Sequence, residues 1–248
     1  MDVPRVVVIT PPDDATRRLW RLILSLAEKF GAEREWTLVG GLMVQLHGFE
    51  HEDDPRPTAD IDVLGAAKRP PRMTETMAAV LVELGAEVAD PPRSDPKLGY
   101  RFEFEDEIIE LLGPDGLRTD PKTTGGLKTF QASGGTQALR RTEVVLVSLD
   151  GSDPVAVRRP DLLGAILIKA RVVAKRREEK FASDREDLIR LLGYVGDPRR
   201  MADEMTKSEK SWLRGISGEI DFGDPALPEP FPAQTLEQAR QAFVLLTR

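Results

Sequence analysis

The sequence predicts an α+β protein, with strands and helices mixed in the N-terminal half and helices alone in the C-terminal half. Three observations carry this. Short apolar runs rich in β-branched residues alternate with helical patterns up to about residue 158. Two such runs flank Glu105-Asp106 and read as a hairpin. From Arg159 onward the apolar spacing is helical. The expected organisation is an α/β core over residues 1–158 and a helical lobe over 159–248.

Arg5 to Thr10 (RVVVIT) reads as a strand. Pro11-Pro12-Asp13-Asp14 forms a turn and a helix start, and Ala15 to Phe30 an amphipathic helix ended by Gly31. Trp36 to Val39 reads as a strand, followed by Gly40-Gly41 and a short helix, Leu42 to His47. The acidic loop Phe49 to Pro57 leads into a strand, Asp60 to Leu64, and Met73 to Leu84 is a helix stopped by Gly85. Tyr100 to Phe104 alternates aromatic and charged residues, as a half-exposed strand does, and Glu107 to Leu112 is its hairpin partner. Gly113 to Gln137, rich in Gly, Thr and Lys, reads as loop. Glu143 to Leu149 is a strand, and Val155 to Val157 another after the Gly151 turn. Pro160 is expected to open a helix through about Arg177. Ser183 caps a second, to Leu192, with Glu186 three residues on. Further helices are expected over Arg199 to Leu213 and Thr235 to Leu246, separated by a Pro-rich stretch from Asp221 to Ala233.

The totals restrict the chemistry. No run of roughly 18 apolar residues exists, so no membrane partner is expected. The first residues do not read as a signal peptide, which points to the cytoplasm. Zero cysteines exclude disulfides and thiolate sites, and two histidines, His47 and His51, disfavour a His-based zinc site or a Ser-His-Asp triad. Chemistry must run on carboxylates, lysines and arginines. A formal charge of −7 argues against broad nucleic-acid binding but not against a local basic patch.

Within Thr58-Ala59-Asp60-Ile61-Asp62-Val63-Leu64, Asp60 and Asp62 project to one face of the strand. Two carboxylates so placed repel each other unless a cation lies between them, and Mg²⁺ suits oxygen ligands of this kind. A solvated acidic strand end is the plain alternative. Gly40-Gly41, between strand and helix, lets backbone approach a phosphate at a helix N-terminus, though a tight turn uses the same residues. Glu110 lies within Ile108-Ile109-Glu110-Leu111-Leu112, where a carboxylate needs a partner unless it faces solvent from an edge. Beside the aspartates it could bind metal or accept a proton from an attacking hydroxyl. Lys169 interrupts an apolar helix and either snorkels to the surface or meets a phosphate. Arg171, Lys175, Arg176, Arg177 and Lys180 continue a basic segment, either a solvated face or a nucleic-acid contact. Asp184 and Asp187 share the next helix's face and could orient Lys169 or Arg171.

Taken together, these residues resemble the nucleotidyltransferase superfamily. The order is strand, Gly40-Gly41, helix, then Arg56-Pro57-Thr58-Ala59-Asp60-Ile61-Asp62, with Glu110 on a later strand. Arg158-Arg159-Pro160-Asp161-Leu162-Leu163, Lys169-Ala170-Arg171 and Lys180 to Leu188 are similar to segments of the AbiEii-type members, the toxins of type IV toxin–antitoxin systems. The resemblance covers roughly residues 36–192. It implies a mixed-sheet core flanked by helices and transfer of a nucleoside monophosphate from an NTP to an acceptor, with release of pyrophosphate. It implies two Mg²⁺ ions, with Mn²⁺ as the alternative, on Asp60, Asp62 and Glu110. Lys169 would join these as a catalytic residue. The nucleotide would be held by Gly40, Gly41, Arg56, Thr58, Lys169 and Asp184 or Asp187. The toxin branch implies tRNA as acceptor and a cognate antitoxin as partner. The same chemistry on a small molecule, as in antibiotic adenylyltransferases, and a non-catalytic binder of this fold are the alternatives. The chain departs from many relatives in three ways: Gly41 stands in place of Ser, eighteen residues separate Gly41 from Asp60, and the third acid is Glu rather than Asp.

Overall fold

A computed structural model describes residues 6–53, 56–68, 72–175, 181–222 and 231–248. The expected basic residues Arg176, Arg177 and Lys180 and the prolines at 225, 228 and 230 lie outside them. In chain order the elements are β1 (Val6–Ile9), α1 (Asp14–Phe30), β2 (Trp36–Val39), α2 (Gly40–Glu50), β3 (Asp60–Gly65), α3 (Met73–Glu83) and β4 (Glu87–Val88). There follow β5 (Arg101–Phe104), β6 (Glu107–Pro114), β7 (Gln131–Ala132), α4 (Gly135–Arg140), β8 (Thr142–Leu149) and β9 (Val155–Pro160). Then come α5 (Leu162–Val173), α6 (Phe181–Gly193), α7 (Pro198–Asp203), α8 (Lys207–Gly215) and α9 (Ala233–Leu246). The chain divides into two compact units, Met1–Pro160 and Asp161–Arg248.

The first unit holds two sheets. One has the order β1-β8-β9; the other runs β2-β3-β6-β5-β4, with β7 beside the end of β6. β3 and β6 are parallel, and their flanking pairs β2·β3 and β5·β6 are antiparallel. Alternation fixes which face is core. Ile61, Val63, Ile109, Leu111 and Phe102 are buried on one face, over which α3 packs Met73 and Met77. Burying one such side chain contributes about 1.5–3 kcal/mol. α1 begins at Asp13, whose carboxylate accepts from Thr16 N at 2.7 Å and Thr16 Oγ1 at 3.0 Å. Its buried stripe of Leu19, Trp20, Ile23, Leu26, Ala27 and Phe30 follows the 3.6-residue period.

Polar ties lock α2 in place. Trp20 Nε1 donates to Gln45 Oε1 at 3.0 Å, and Gln45 Nε2 donates to the Arg56 carbonyl at 3.0 Å, pinning the loop before β3. At the other end, buried Arg159 meets His47 and Glu50 and bridges to Glu143 at 3.2 Å. His47 Nε2 lies 3.2 Å from the Pro160 carbonyl and donates to it, so Nδ1 is the lone pair facing the guanidinium. Burial, and secondly the Arg159 charge, push the His47 pKa well down.

The second unit is helical. α6 packs on α5 and α9, and α8 on α5. Asp161 Oδ1 accepts from Gly164 N at 2.6 Å and caps α5. Thr206 and Glu209 form a capping box on α8.

Several expected boundaries move. Pro160 ends β9 instead of opening a helix, because Asp161 supplies the cap one residue later. α6 already begins at Phe181, which puts Ser183 inside its first turn and not at the N-cap. The segment Arg199 to Leu213 splits into α7 and α8 at Thr206, whose side chain starts a new helix. The stretch expected as loop contains β7 and α4. Asp115, some twenty residues upstream of α4, accepts from Gly134 N and Thr136 N, both at 2.9 Å, and so serves as its distant cap. Burial pushes the Asp115 pKa up, but these donors outweigh it and hold the carboxyl below its ordinary range.

Candidate active site

Register builds the site. Asp62 pairs with Glu110 across the parallel β3·β6 ladder, Val39 lies opposite Asp62 on β2, and Arg101 opposite Glu110 on β5. Val39, Asp62, Glu110 and Arg101 therefore form one row across four strands, on the face opposite Ile61 and Val63. Asp60 is two residues from Asp62 and shares that face, half-exposed like Asp62 and Glu110. The structure thus places the three acids expected from the sequence on one face of two adjacent strands.

The Gly-Gly turn owes its composition to this row. Gly40 has φ +66°, and a Cβ there would stand 2.6 Å from Asp62 Cγ and 2.8 Å from Asp62 Cβ. A Cβ on Gly41 would stand 2.5 Å from Thr58 Oγ1 and 2.7 Å from Thr58 Cβ. Both glycines let the start of α2 lie directly on the Thr58–Asp62 segment. Thr58 Oγ1 in turn donates to Asp60 Oδ1 at 3.0 Å. Arg56 Nη1 donates to the Pro57 carbonyl at 3.1 Å at the mouth of this loop.

Two neighbours were not expected from the sequence. Arg101 Nε lies 3.8 Å from Glu110 Oε1, an ion-pair distance without a hydrogen bond. Tyr100, next along from Arg101, is pushed to a higher pKa by burial first and then by the Glu110 and Asp62 charges, against an opposing effect of Arg101. Its ring stacks edge-on against Phe130 at 4.7 Å. Counting back across the Glu105-Asp106 turn would have found Arg101, since Phe104 faces Glu107 and each further step pairs the next residues outward.

The donor set suits a hard divalent cation: three carboxylates on one face, two on directly paired residues. As the side chains lie, no three His, Cys, Asp or Glu groups among the described residues are gathered closely enough to hold a metal ion. Thr58 and Arg101 engage Asp60 and Glu110 instead.

Lys169, Asp184 and Asp187 form a separate cluster within the second unit. Lys169 Nζ lies 2.6 Å from Asp187 Oδ2 and 3.4 Å from Asp184 Oδ1, and all three side chains are buried. Lys169 does not snorkel, and both aspartates reach it, Asp187 more closely. Arg171, on the same helix, lies over the Trp212 ring at 4.9 Å.

The crystal structure of an antigenic nucleotidyltransferase-like protein from Paracoccidioides brasiliensis is similar to this chain. The TM-score is 0.52 over 90% of this chain and 94% of that one, at 14% sequence identity. The chain has a nucleotidyltransferase-like fold. No protein-family model and no curated protein matches it. A nucleotidyltransferase-like fold hosts more than one activity, so function has to be argued from the site. Among the described residues, no helix is long and apolar enough to cross a membrane.

Proposed function

We propose that the protein transfers a nucleoside monophosphate from an NTP to an acceptor hydroxyl. The observation that supports this most is the Asp62–Glu110 register pair with Asp60 on the same face, under a Gly40 that no side chain could replace without displacing Asp62. In this reading the acceptor oxygen bonds to the α-phosphorus, the α–β bridging P–O bond breaks, and pyrophosphate leaves with its electron pair. Glu110 takes the hydroxyl proton. Asp60, Asp62 and Glu110 would hold the divalent cations, which would supply charge neutralisation at the α-phosphate and the departing pyrophosphate. Gly40 and Gly41 leave backbone N–H groups of α2 open to a phosphate. Arg101, held to Glu110 only loosely, is placed to follow the triphosphate charge. Lys169, balanced by two buried aspartates, fixes α5 on α6, and a role for it at the nucleotide rests on the family resemblance alone.

The acceptor is proposed as tRNA, on the resemblance of residues 158–188 to segments of AbiEii-type toxins, and a cognate antitoxin would follow from that. A small cationic acceptor is the competing reading, favoured by the net charge of −7 and by Arg171 being stacked on Trp212. The non-catalytic reading draws on Thr58 and Arg101, which engage two of the acids within the protein itself.

The test incubates the protein with Mg²⁺ and each labelled NTP, with and without total tRNA, beside Asp62→Asn. Label on tRNA that Asp62→Asn loses supports the toxin reading, and label confined to small molecules supports the other acceptor. No label, with no NTP binding by calorimetry, sinks the enzyme reading.

A further inference from the structure

The first unit carries an open cavity at the far ends of the same strands, with a mixed polar and apolar lining. Ala66 and Ala67, just past β3, and Pro114, at the end of β6, form part of its wall, with Thr136 and Leu139 of α4 opposite. At about 3.3 Å per residue along β3, it lies roughly 13–20 Å from Asp62 and Asp60. Its volume is about 320 Å³, at the small end of the range for ligand pockets.

The charge of its lining is unlike the rest of this acidic chain. Lys68, Arg140 and Arg158 face it with Glu35 as the one acid, a local surplus of cations in a protein of net charge −7. Arg158 is built in. Its Nε donates to the Trp36 carbonyl at 2.9 Å and Nη1 to the Ala32 carbonyl at 2.7 Å, which orients the guanidinium and leaves Nη2 without a hydrogen bond among the described residues. Burial lowers its pKa, yet an arginine keeps its charge at neutral pH. Among the described residues that half-buried cation has no carboxylate within ion-pair distance; Glu35 and Glu33 act on it only at longer range. Lys68 and Arg140 are exposed and make no hydrogen bond or ion pair with the described residues. The Thr136 hydroxyl and N–H are both committed to Asp115, so Thr136 is wall and not donor.

A fixed, partly desolvated guanidinium with two exposed cations around a small cavity matches multiply charged oxyanions such as phosphate groups. We propose that this cavity binds a small phosphate-bearing anion, at a site separate from the Asp60–Asp62–Glu110 face. Arg158 is the fixed anchor, and Lys68 and Arg140 close on the anion from the rim. Leu139 and Pro114 supply an apolar wall for any organic part of the ligand.

The test titrates the full chain by calorimetry, in EDTA, with inorganic pyrophosphate and separately with ribose 5-phosphate. Saturable binding of either probe is expected, the tighter one marking an inorganic anion or a phosphorylated metabolite as the source. The Lys68→Ala/Arg140→Ala variant, altered only at exposed positions, should bind at least tenfold more weakly with an unchanged melting temperature. Glu35→Gln should bind severalfold more tightly. Asp62→Asn should bind like the wild type, whatever becomes of nucleotidyl transfer. The proposal is overturned if neither probe binds saturably, if the double variant binds as well as the wild type, or if Asp62→Asn abolishes binding.

Discussion

Gly40→Ala tests the coupling between the turn and the acid row. Two costs apply. At φ +66° an L-residue sits in the left-handed region, which costs about 1–2 kcal/mol relative to glycine. The new Cβ would also meet Asp62, 2.6 Å from Cγ and 2.8 Å from Cβ, so the aspartate must leave its rotamer at about 0.5–1.5 kcal/mol. The sum is about 1.5–3.5 kcal/mol, or about 3–14 °C in melting temperature for a chain of this size. Gly85→Ala reports the first cost alone, so its difference from Gly40→Ala isolates the second. Gly85 has φ +95° with nothing within 4 Å of its Cβ position, so it carries strain without the clash. Both variants share the loss of chain entropy in the unfolded state. Urea and thermal denaturation should therefore show Gly40→Ala less stable than Gly85→Ala by about 1 kcal/mol. In the Asp62→Ala background that gap should shrink, giving a coupling energy of similar size. Nucleotidyl transfer should fall with Gly40→Ala and not with Gly85→Ala. Equal losses for the two glycines, or a gap that persists without Asp62, would refute the close approach as the reason for Gly40.

Asp62→Asn and Glu110→Gln should each lower transfer at least a hundredfold while leaving the melting temperature within a few degrees, since both side chains are half-exposed; normal turnover by either would remove it from the chemistry. Lys169→Met leaves Asp184 and Asp187 buried without their shared cation and should cost about 3–5 kcal/mol, read by urea denaturation, whereas a loss under about 1 kcal/mol would mean the pair relaxes into water. His47 is held neutral in the fold, so below its ordinary value of 6.5 only the unfolded chain takes up the proton. Its contribution is fully present above pH 6.5 and is lost as pH falls, by up to about 1.4 kcal/mol per unit, a slope His47→Gln should remove from the stability profile.

The acid row was legible because its signals are local. Asp60-Ile61-Asp62 alternates within one strand, and Glu110 sits in an apolar run that makes a carboxylate conspicuous. The hairpin was legible from Glu105-Asp106, with Glu105 at φ +53°. What was missed depends on distant partners. β4 and β7 are two residues each and exist only through their neighbours β5 and β6. α4 starts because Asp115 reaches it from another loop, and no local capping pattern announces that. Arg101 needed the hairpin register to be counted, and the Lys68–Arg140–Arg158 cavity joins three separate segments, none of which is a motif. Lys169 was conspicuous in its apolar helix, but only the packing of α5 on α6 shows that it is buried against both aspartates.

The core and the site are set by one alternation. Ile61 and Val63 on β3 pair with Ile109 and Leu111 on β6, all fully buried, and this fixes the register of the parallel ladder. The intervening positions, Asp62 and Glu110, are thereby committed to the opposite face and to each other. A slip of one residue would turn the carboxylates into the core and expose the aliphatic pair, so hydrophobic burial itself rejects every odd slip, which would take the acids off their shared face. Loops can vary around such a row, as the long connection between Gly41 and Asp60 does here, because the pairing that sets it lies in the buried half of the same strands.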